Sequence, residues 1–371
     1  WQVCLKMAIK LGISVEVFQD LMDRQEEMTR KANVLFSFAN LRFAADTQDQ
    51  NALALLARIQ QFTAELANRT LFFSLWWKDL DDANADRLMA VSGDRRYWLE
   101  EMRHFKKFTL TEPEEKIINI KDVTGSSAMD TLYTSITNRY TFNLTVNGET
   151  KTMTRGELAV YVREADPDLR RQAYQELYRV YGQDAPILGQ IYQNIVRDWR
   201  NEQLGLRKFV SPIAVRNLAN DIPDDAVETL LASAEKNASL FHRYFKLKAR
   251  WLGVDKLRRY DVYAPVAKSD KTYTFDQGVK LVMDAYRAFD PQIAEQAERV
   301  LKEDHLDSEV RKGKQGGAFC LTALPNLTPW VLQSFQGKAE DVATLAHELG
   351  HAVHSMQASK HSMLTFHASL P

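Results

Sequence analysis

The sequence predicts a mainly α-helical, multi-helix protein with a β-hairpin near 140–153 and a small β-sheet beside one helix near the end of the chain. Three observations predict it. Apolar residues recur at three-to-four spacing through most of the 371 residues, Asn147-Gly148 separates two short alternating runs, and two strand-like runs precede His347-Glu348-Leu349-Gly350-His351.

The first hundred or so residues read as helices. Val17-Phe18, Leu21-Met22 and Met28 recur at helical spacing with charges between them, as do Leu53, Leu55-Leu56, Ile59 and Phe62. The run Leu71-Phe72-Phe73-Ser74-Leu75-Trp76-Trp77 invites a ligand-binding reading, but core packing between helices accounts for it more simply. The charged stretch 106–116, with Pro113 inside, marks a boundary. Tyr140 to Val146 alternates and is rich in β-branched and aromatic residues; Asn147-Gly148 is the favoured two-residue turn, and Glu149 to Met153 returns. Thr154-Arg155-Gly156-Glu157 is a capping box that opens the next helix. From Asp168 long helices dominate. Ile187, Ile191, Ile195 and Trp199 form an apolar stripe on a helix expected to end near Gly205, and Pro223-Asp224-Asp225 starts another with acids at its positive end. Lys246-Leu247-Lys248-Ala249-Arg250 reads as a solvated helix face. Ala318 to Thr322 and Trp330 to Phe335 read as two strands joined by a loop containing Pro325 and Pro329.

The H-E-x-x-H motif carries the chemistry. On a helix, His347 and His351 project from one face about a turn apart, so two neutral imidazoles can grip one tetrahedral Zn²⁺, with Glu348 beside them as general base. The plainer reading is a surface helix that happens to carry these residues. Against it stand the uncharged flanks Thr344-Leu345 and Ala352-Val353, which predict a mostly buried helix where such groups are costly without a role. Asp341 serves as N-cap or first-turn acid, and the helix runs to about Met356. A catalytic zinc needs three protein ligands and an open position. His354, His361 and His367 are the available candidates for the third, although a polar helix edge accounts for His354 more simply and nothing in the spacing of the other two recommends them. The longer metzincin pattern fails, since it wants Gly at 354 and His at 357. No acidic residue follows Glu348, which excludes an acidic downstream ligand within this chain.

Thr344 to Ser355 closely resembles the active-site helix of the oligoendopeptidase F branch of the thimet oligopeptidase-like (gluzincin) zinc metallopeptidases. The resemblance extends through Arg259-Tyr260-Asp261-Val262-Tyr263-Ala264-Pro265, Gly313 to Cys320 and Pro329 to Gly337, and loosely over nearly the whole chain. It implies a two-lobed, multi-helix metallopeptidase that hydrolyses internal bonds of short oligopeptides in a channel between lobes, with one Zn²⁺ per complete catalytic domain. His347 and His351 would be ligands and Glu348 the base and proton shuttle. The stretch matching Gly316, Gly317 and Ala318 would border the substrate cleft, where glycine lets another backbone approach. The third ligand would be a Glu beyond Pro371, so the chain reads as a piece truncated at its C-terminus, and starting at Trp1 it lacks N-terminal sequence too. The expected organisation is an N-terminal helical region 1–110, a linker with the hairpin 111–165, and the zinc-peptidase domain 166–371.

Composition bounds the rest. At this length two or three domains are expected, and 45% hydrophobic with 26% charged residues is ordinary for a globular protein. A net charge of −1 argues against nucleic-acid or anionic-membrane partners. No apolar run approaches the roughly 18 residues of a membrane span. Cys4 and Cys320 cannot form a disulfide framework, which favours the cytoplasm, with a cleaved leader left open by the missing start. Two other readings stand beside the endopeptidase: a catalytically incomplete homologue acting as a peptide-binding or scaffold module, and a zinc aminopeptidase, for which no motif holding a free amino terminus is visible.

Overall fold

Helix α1 (Val15–Ala45) begins where Ser14 caps the backbone N–H of Val17, and it packs along α2 (Gln50–Asp79). Two short helices, α3 (Asp82–Met89) and α4 (Arg96–His104), fold back on this pair. In this computed structural model, which describes residues 13–266 and 271–366, the aromatic run lies at the centre of the N-terminal core. Phe73 and Trp77 are buried against Phe18, Met22, Leu88 and Leu99, and the Trp77 indole N–H donates to the Leu99 carbonyl at 2.8 Å. Packing therefore accounts for the run, each fully buried large side chain contributing about 1.5–3 kcal/mol.

The stretch 106–116 turns the chain into α5 (Glu112–Thr124), where Pro113 occupies the first turn and its missing N–H costs nothing. Helix α6 (Ser126–Asn138) leads to strands β1 (Phe142–Val146) and β2 (Glu149–Met153), paired antiparallel from Phe142↔Met153 to Val146↔Glu149. Asn147 and Gly148 both take positive φ, 54° and 82°, as the two-residue turn requires. Phe142, Leu144 and Met153 pack on α7 (Arg155–Tyr161) and α8 (Pro167–Gln183). The Thr154–Glu157 capping box is present.

Helix α9 (Ala185–Arg200) runs on through a π-turn at Asn201–Leu206, close to the expected end. Its stripe is not the buried face that periodicity suggests: Ile191 is buried, while Ile187 and Trp199 are exposed, because the helix meets α6 over only part of its surface. Helices α10 (Pro212–Ala219), α11 (Asp224–Lys236) and α12 (Ala238–Trp251) follow. One expectation is corrected here. Lys248 is not on a solvated face: it is buried and its ammonium donates to the Val262 carbonyl at 2.8 Å.

The last part is built on α13 (Phe275–Phe289), α14 (Pro291–Lys302) and α15 (Ala339–Gln357), which share one core with a small sheet. The two expected strands are β4 (Phe319–Leu321) and β5 (Trp330–Leu332), antiparallel with Cys320 opposite Val331. A third, β3 (Leu306–Asp307), pairs parallel with β5, giving the order β3-β5-β4 and leaving β4 at an edge. Two residues are too short to show as a run in sequence.

Two resembling segments prove to be cross-links. Gly313 has φ +84°, and a Cβ there would lie 2.6 Å from Asp46 Oδ1, so only glycine lets the loop lie against the end of α1. Beside it, Lys314 is buried, its ammonium donating to the carbonyls of Asp307, Glu309 and Gln333 and to Asp307 Oδ1, at 2.6–3.0 Å. The other is Asp261, fully buried, which accepts from the Arg258 N–H and from the Arg258 and Arg170 guanidinium groups. No helix among the described residues is long and apolar enough to cross a membrane.

Arg170→Met is expected to cost about 3–5 kcal/mol in denaturant unfolding, because it strands the buried Asp261 carboxylate. Burial alone would raise Asp261, but its hydrogen bonds outweigh burial and hold it below the usual carboxylate range. Its contribution is therefore complete above about pH 4 and lost as pH falls through the depressed value; a pH-independent acid limb would contradict this. Gln333 is buried with both amide atoms unpaired, so Gln333→Met should be neutral or stabilising by up to about 2 kcal/mol, and a clear loss of Tm would refute that.

Candidate metal centre

The residues that start α15 fix where the motif falls. Gly337 has φ +85° and approaches the Tyr273 carbonyl so closely that a Cβ would lie 2.7 Å from its oxygen. Asp341, at the third helical position, accepts the backbone N–H groups of Gln336 and Lys338 at 2.9 and 2.8 Å. It is thus the first-turn acid, with Lys338 as the cap residue. The face bearing Val342, Leu345, Leu349, Ala352, Val353 and Met356 is sealed against α13, α14 and β5. The Tyr286 hydroxyl donates to the Ala346 carbonyl, one residue before the motif, and locks the helix against α13.

The opposite face opens into a cleft of about 550 Å³. The expected mostly buried helix is corrected on this side: His347 and His354 are exposed and His351 half-buried, because they border the cleft and not the core. Glu348 alone of the motif's polar residues is buried, at 7% exposure, yet it also lines the cleft. The two imidazoles stand edge to face, 88° apart, with their Nε2 atoms 3.1 Å from each other. Nitrogens bound about 2.0–2.1 Å from one tetrahedral Zn²⁺ lie roughly 3.3 Å apart, so this donor pair fits a single ion.

The other wall is β4. Ala318, Phe319, Cys320, Leu321 and Thr322 all line the cleft, and the Thr322 hydroxyl donates to the Ser355 hydroxyl at 2.8 Å, tying strand to helix. Of the expected substrate-contact residues, Ala318 lies on the cleft. Gly316 and Gly317 sit just upstream, exposed and outside its lining. Cys320 faces both ways, packing on the core and bordering the cleft, and burial followed by the nearby Glu348 carboxylate pushes its thiol up to about 12.

The candidates for a third ligand separate clearly. His354 lines the cleft, but among the described residues no group of three or more His, Cys, Asp or Glu side chains is arranged to hold a metal. His361 is engaged elsewhere, its Nδ1 lying 2.8 Å from Asp94 Oδ1 beside the N-terminal helices. His367 lies outside the described residues. Sequence reasoning gave no role to Tyr286, Ser355 or Phe366, the last two on the cleft; Ser355 ends the resembling helix segment without being singled out, and only the packing of α13 and the final turn brings Tyr286 and Phe366 to the site.

A mainly helical protein whose H-E-x-x-H helix faces a short edge strand across a cleft has the build of a helical peptidase. Residues 160–369 match Peptidase family M3, and the chain belongs to that family. Residues 76–142 match a second family, described as Oligopeptidase F. Group B oligopeptidase PepB of Streptococcus agalactiae is 24% identical over 352 residues, covering 93% of this chain and 58% of PepB. Oligopeptidase PepF of Bacillus subtilis is 22% identical over 365 residues, covering 95% and 53%. The chain thus spans little more than half the length of these curated relatives. Among solved structures, PZ peptidase A with inhibitor 2 has a TM-score of 0.80 at 16% identity, covering 96% of this chain and 62% of that one. Oligoendopeptidase-F from Enterococcus faecium gives 0.65 at 21%, covering 82% and 64%. At these identities the structural likeness is one of fold.

Cys320 should alkylate slowly although it borders the cleft. At pH 8 its rate with iodoacetamide, followed by peptide mass spectrometry, is expected to be at least about a hundredfold below that of a free thiol. Comparable rates would show that the thiol is not held protonated.

Proposed function

We propose that this chain carries the metal-binding helix and one cleft wall of a zinc-dependent endopeptidase that cuts internal bonds of short oligopeptides in the cytoplasm. The observation that carries the reading is the paired His347 and His351 Nε2 atoms beside the buried Glu348 carboxylate, in a cleft walled by an edge strand. Membership of Peptidase family M3 and the oligopeptidase names of its relatives support the substrate class.

His347 and His351 would hold the zinc through neutral Nε2 atoms. Bound there, zinc supplies Lewis acidity to the scissile carbonyl and lowers the pKa of a water. Glu348 takes a proton from the attacking water and delivers it to the leaving amine. Its burial keeps the carboxylate in a poorly solvated setting, where a proton transfer is not diluted by bulk water. The free edge of β4 offers backbone N–H and C=O groups to an extended peptide, which makes recognition depend little on side-chain identity. Gly316 and Gly317, exposed just upstream of the strand, would leave room for the backbone of a peptide that extends past the cleft.

A second reading is favoured by one observation: the described residues supply two nitrogen donors where a catalytic zinc takes three ligands. On that reading this chain by itself binds peptides along β4 without turnover, and the third ligand, a Glu by family resemblance, comes from polypeptide outside this sequence.

Zinc content by elemental analysis after exhaustive dialysis of the complete enzyme tests the centre: about one zinc per polypeptide that is lost in His351→Ala supports the ligand pair, and retention in the variant removes it. In the complete enzyme, Glu348→Gln should keep zinc and lower turnover of an internally quenched peptide by several orders of magnitude. Near-normal turnover would rule out Glu348 as the base.

A further inference from the structure

The cleft beside the paired histidines has an apolar side. Cys320 packs on the core that backs α15, so its neighbours Phe319 and Leu321 project from the other face of β4. Both are half-buried, and both line the cleft. Phe366 supplies a third apolar surface to the same space, with only 6% of it exposed. A tight turn holds it there: the N–H groups of Thr365 and Phe366 both donate to the Ser362 carbonyl at 3.0 Å, and Met363 within that turn is buried. A wall fixed before a ligand arrives spares part of the ordering cost of binding.

Strand β4 is the edge of its sheet, so an extended peptide can pair with it. Residues directly opposite one another across such a ladder carry their side chains on one face, about 4.5–5.5 Å apart. A paired peptide therefore sets two side chains, two residues apart, beside Phe319 and Leu321. The residue between them lies opposite Cys320, on the side of α15. We propose that Phe319, Leu321 and Phe366 are specificity-determining residues that select peptides with large apolar side chains at positions i and i+2. Backbone pairing tolerates many sequences, and these three side chains add the preference. The inference rests on the endopeptidase reading of the cleft and supplies its substrate pattern.

Two internally quenched peptides of one composition test it on the complete enzyme. They differ only in whether two leucines in a host of small residues are adjacent or separated by one alanine. The separated pair should be cut with a kcat/KM at least about tenfold higher, the scale on which apolar side chains are discriminated. The same ratio is then read in Phe319→Ala, Leu321→Ala and Phe366→Ala, so that a general loss of activity in any variant cancels. Each should bring the ratio down by about threefold or more. A ratio unchanged in one variant overturns the assignment of that residue. Equal cleavage of the two peptides by the wild-type enzyme overturns this inference alone. Cleavage of neither overturns the endopeptidase reading, and this inference with it.

Discussion

The ammonium of Lys314 sits inside the protein with no water-facing side, and four oxygens from three stretches of chain close around it. A buried charge is tolerated only when its hydrogen-bonding capacity is met. Meeting it fixes β3 through Asp307, the turn through Glu309 and β5 through Gln333, all in one stroke. Its neighbour Gly313 presses the same loop against the end of α1, where the Thr47 N–H and hydroxyl both bond to the Gly313 carbonyl. Arg311 adds a hydrogen bond to the Ala45 carbonyl at 3.0 Å. The strand that follows, β4, is thereby held at the right height to face the H-E-x-x-H helix. The cleft exists because that loop cannot move without exposing or stranding an ammonium.

Much of this was legible in sequence wherever one residue type answers one physical demand. Asn147-Gly148 announced the hairpin because both turn positions need positive φ. His347, Glu348 and His351 stood out because residues four apart on a helix share a face, and that face does border the cleft. The aromatic run at 71–77 was legible as core from its spacing. What stayed hidden depends on distant partners. Periodicity places Ile187, Ile191, Ile195 and Trp199 on one stripe, but it cannot say whether anything covers them. Lys248 reads as solvated until the Val262 carbonyl, fourteen residues on, is brought beneath it. Strand β3 consists of two residues recruited by β5, with no local signal at all. His361 looked as available as His354, and only the fold shows one committed to Asp94 and the other standing in the cleft.

The site combines two kinds of rigidity. The histidine helix is clamped from behind by an apolar core and by the Tyr286 hydroxyl, so its ligand face is set before anything binds. The opposing strand is held at its root by the Lys314 loop and at its far end by the Thr322–Ser355 hydroxyl pair. Between them Glu348 and Cys320 both border the cleft, and burial together with the Glu348 carboxylate pushes the thiol up.

The route of the chain beyond the histidine helix has a mechanical corollary. After Gln357 the backbone crosses to the N-terminal helices, where Asp94 receives the Ser362 N–H and the Thr365 hydroxyl, Glu26 receives the Met363 N–H, and Leu364 joins their core. Phe366, at the rim of the cleft, is the next residue but one. The rim is thus bolted to the opposite end of the polypeptide. Any displacement of the N-terminal core would therefore be passed to Phe366, so the width of the cleft mouth is coupled to packing far away in the sequence.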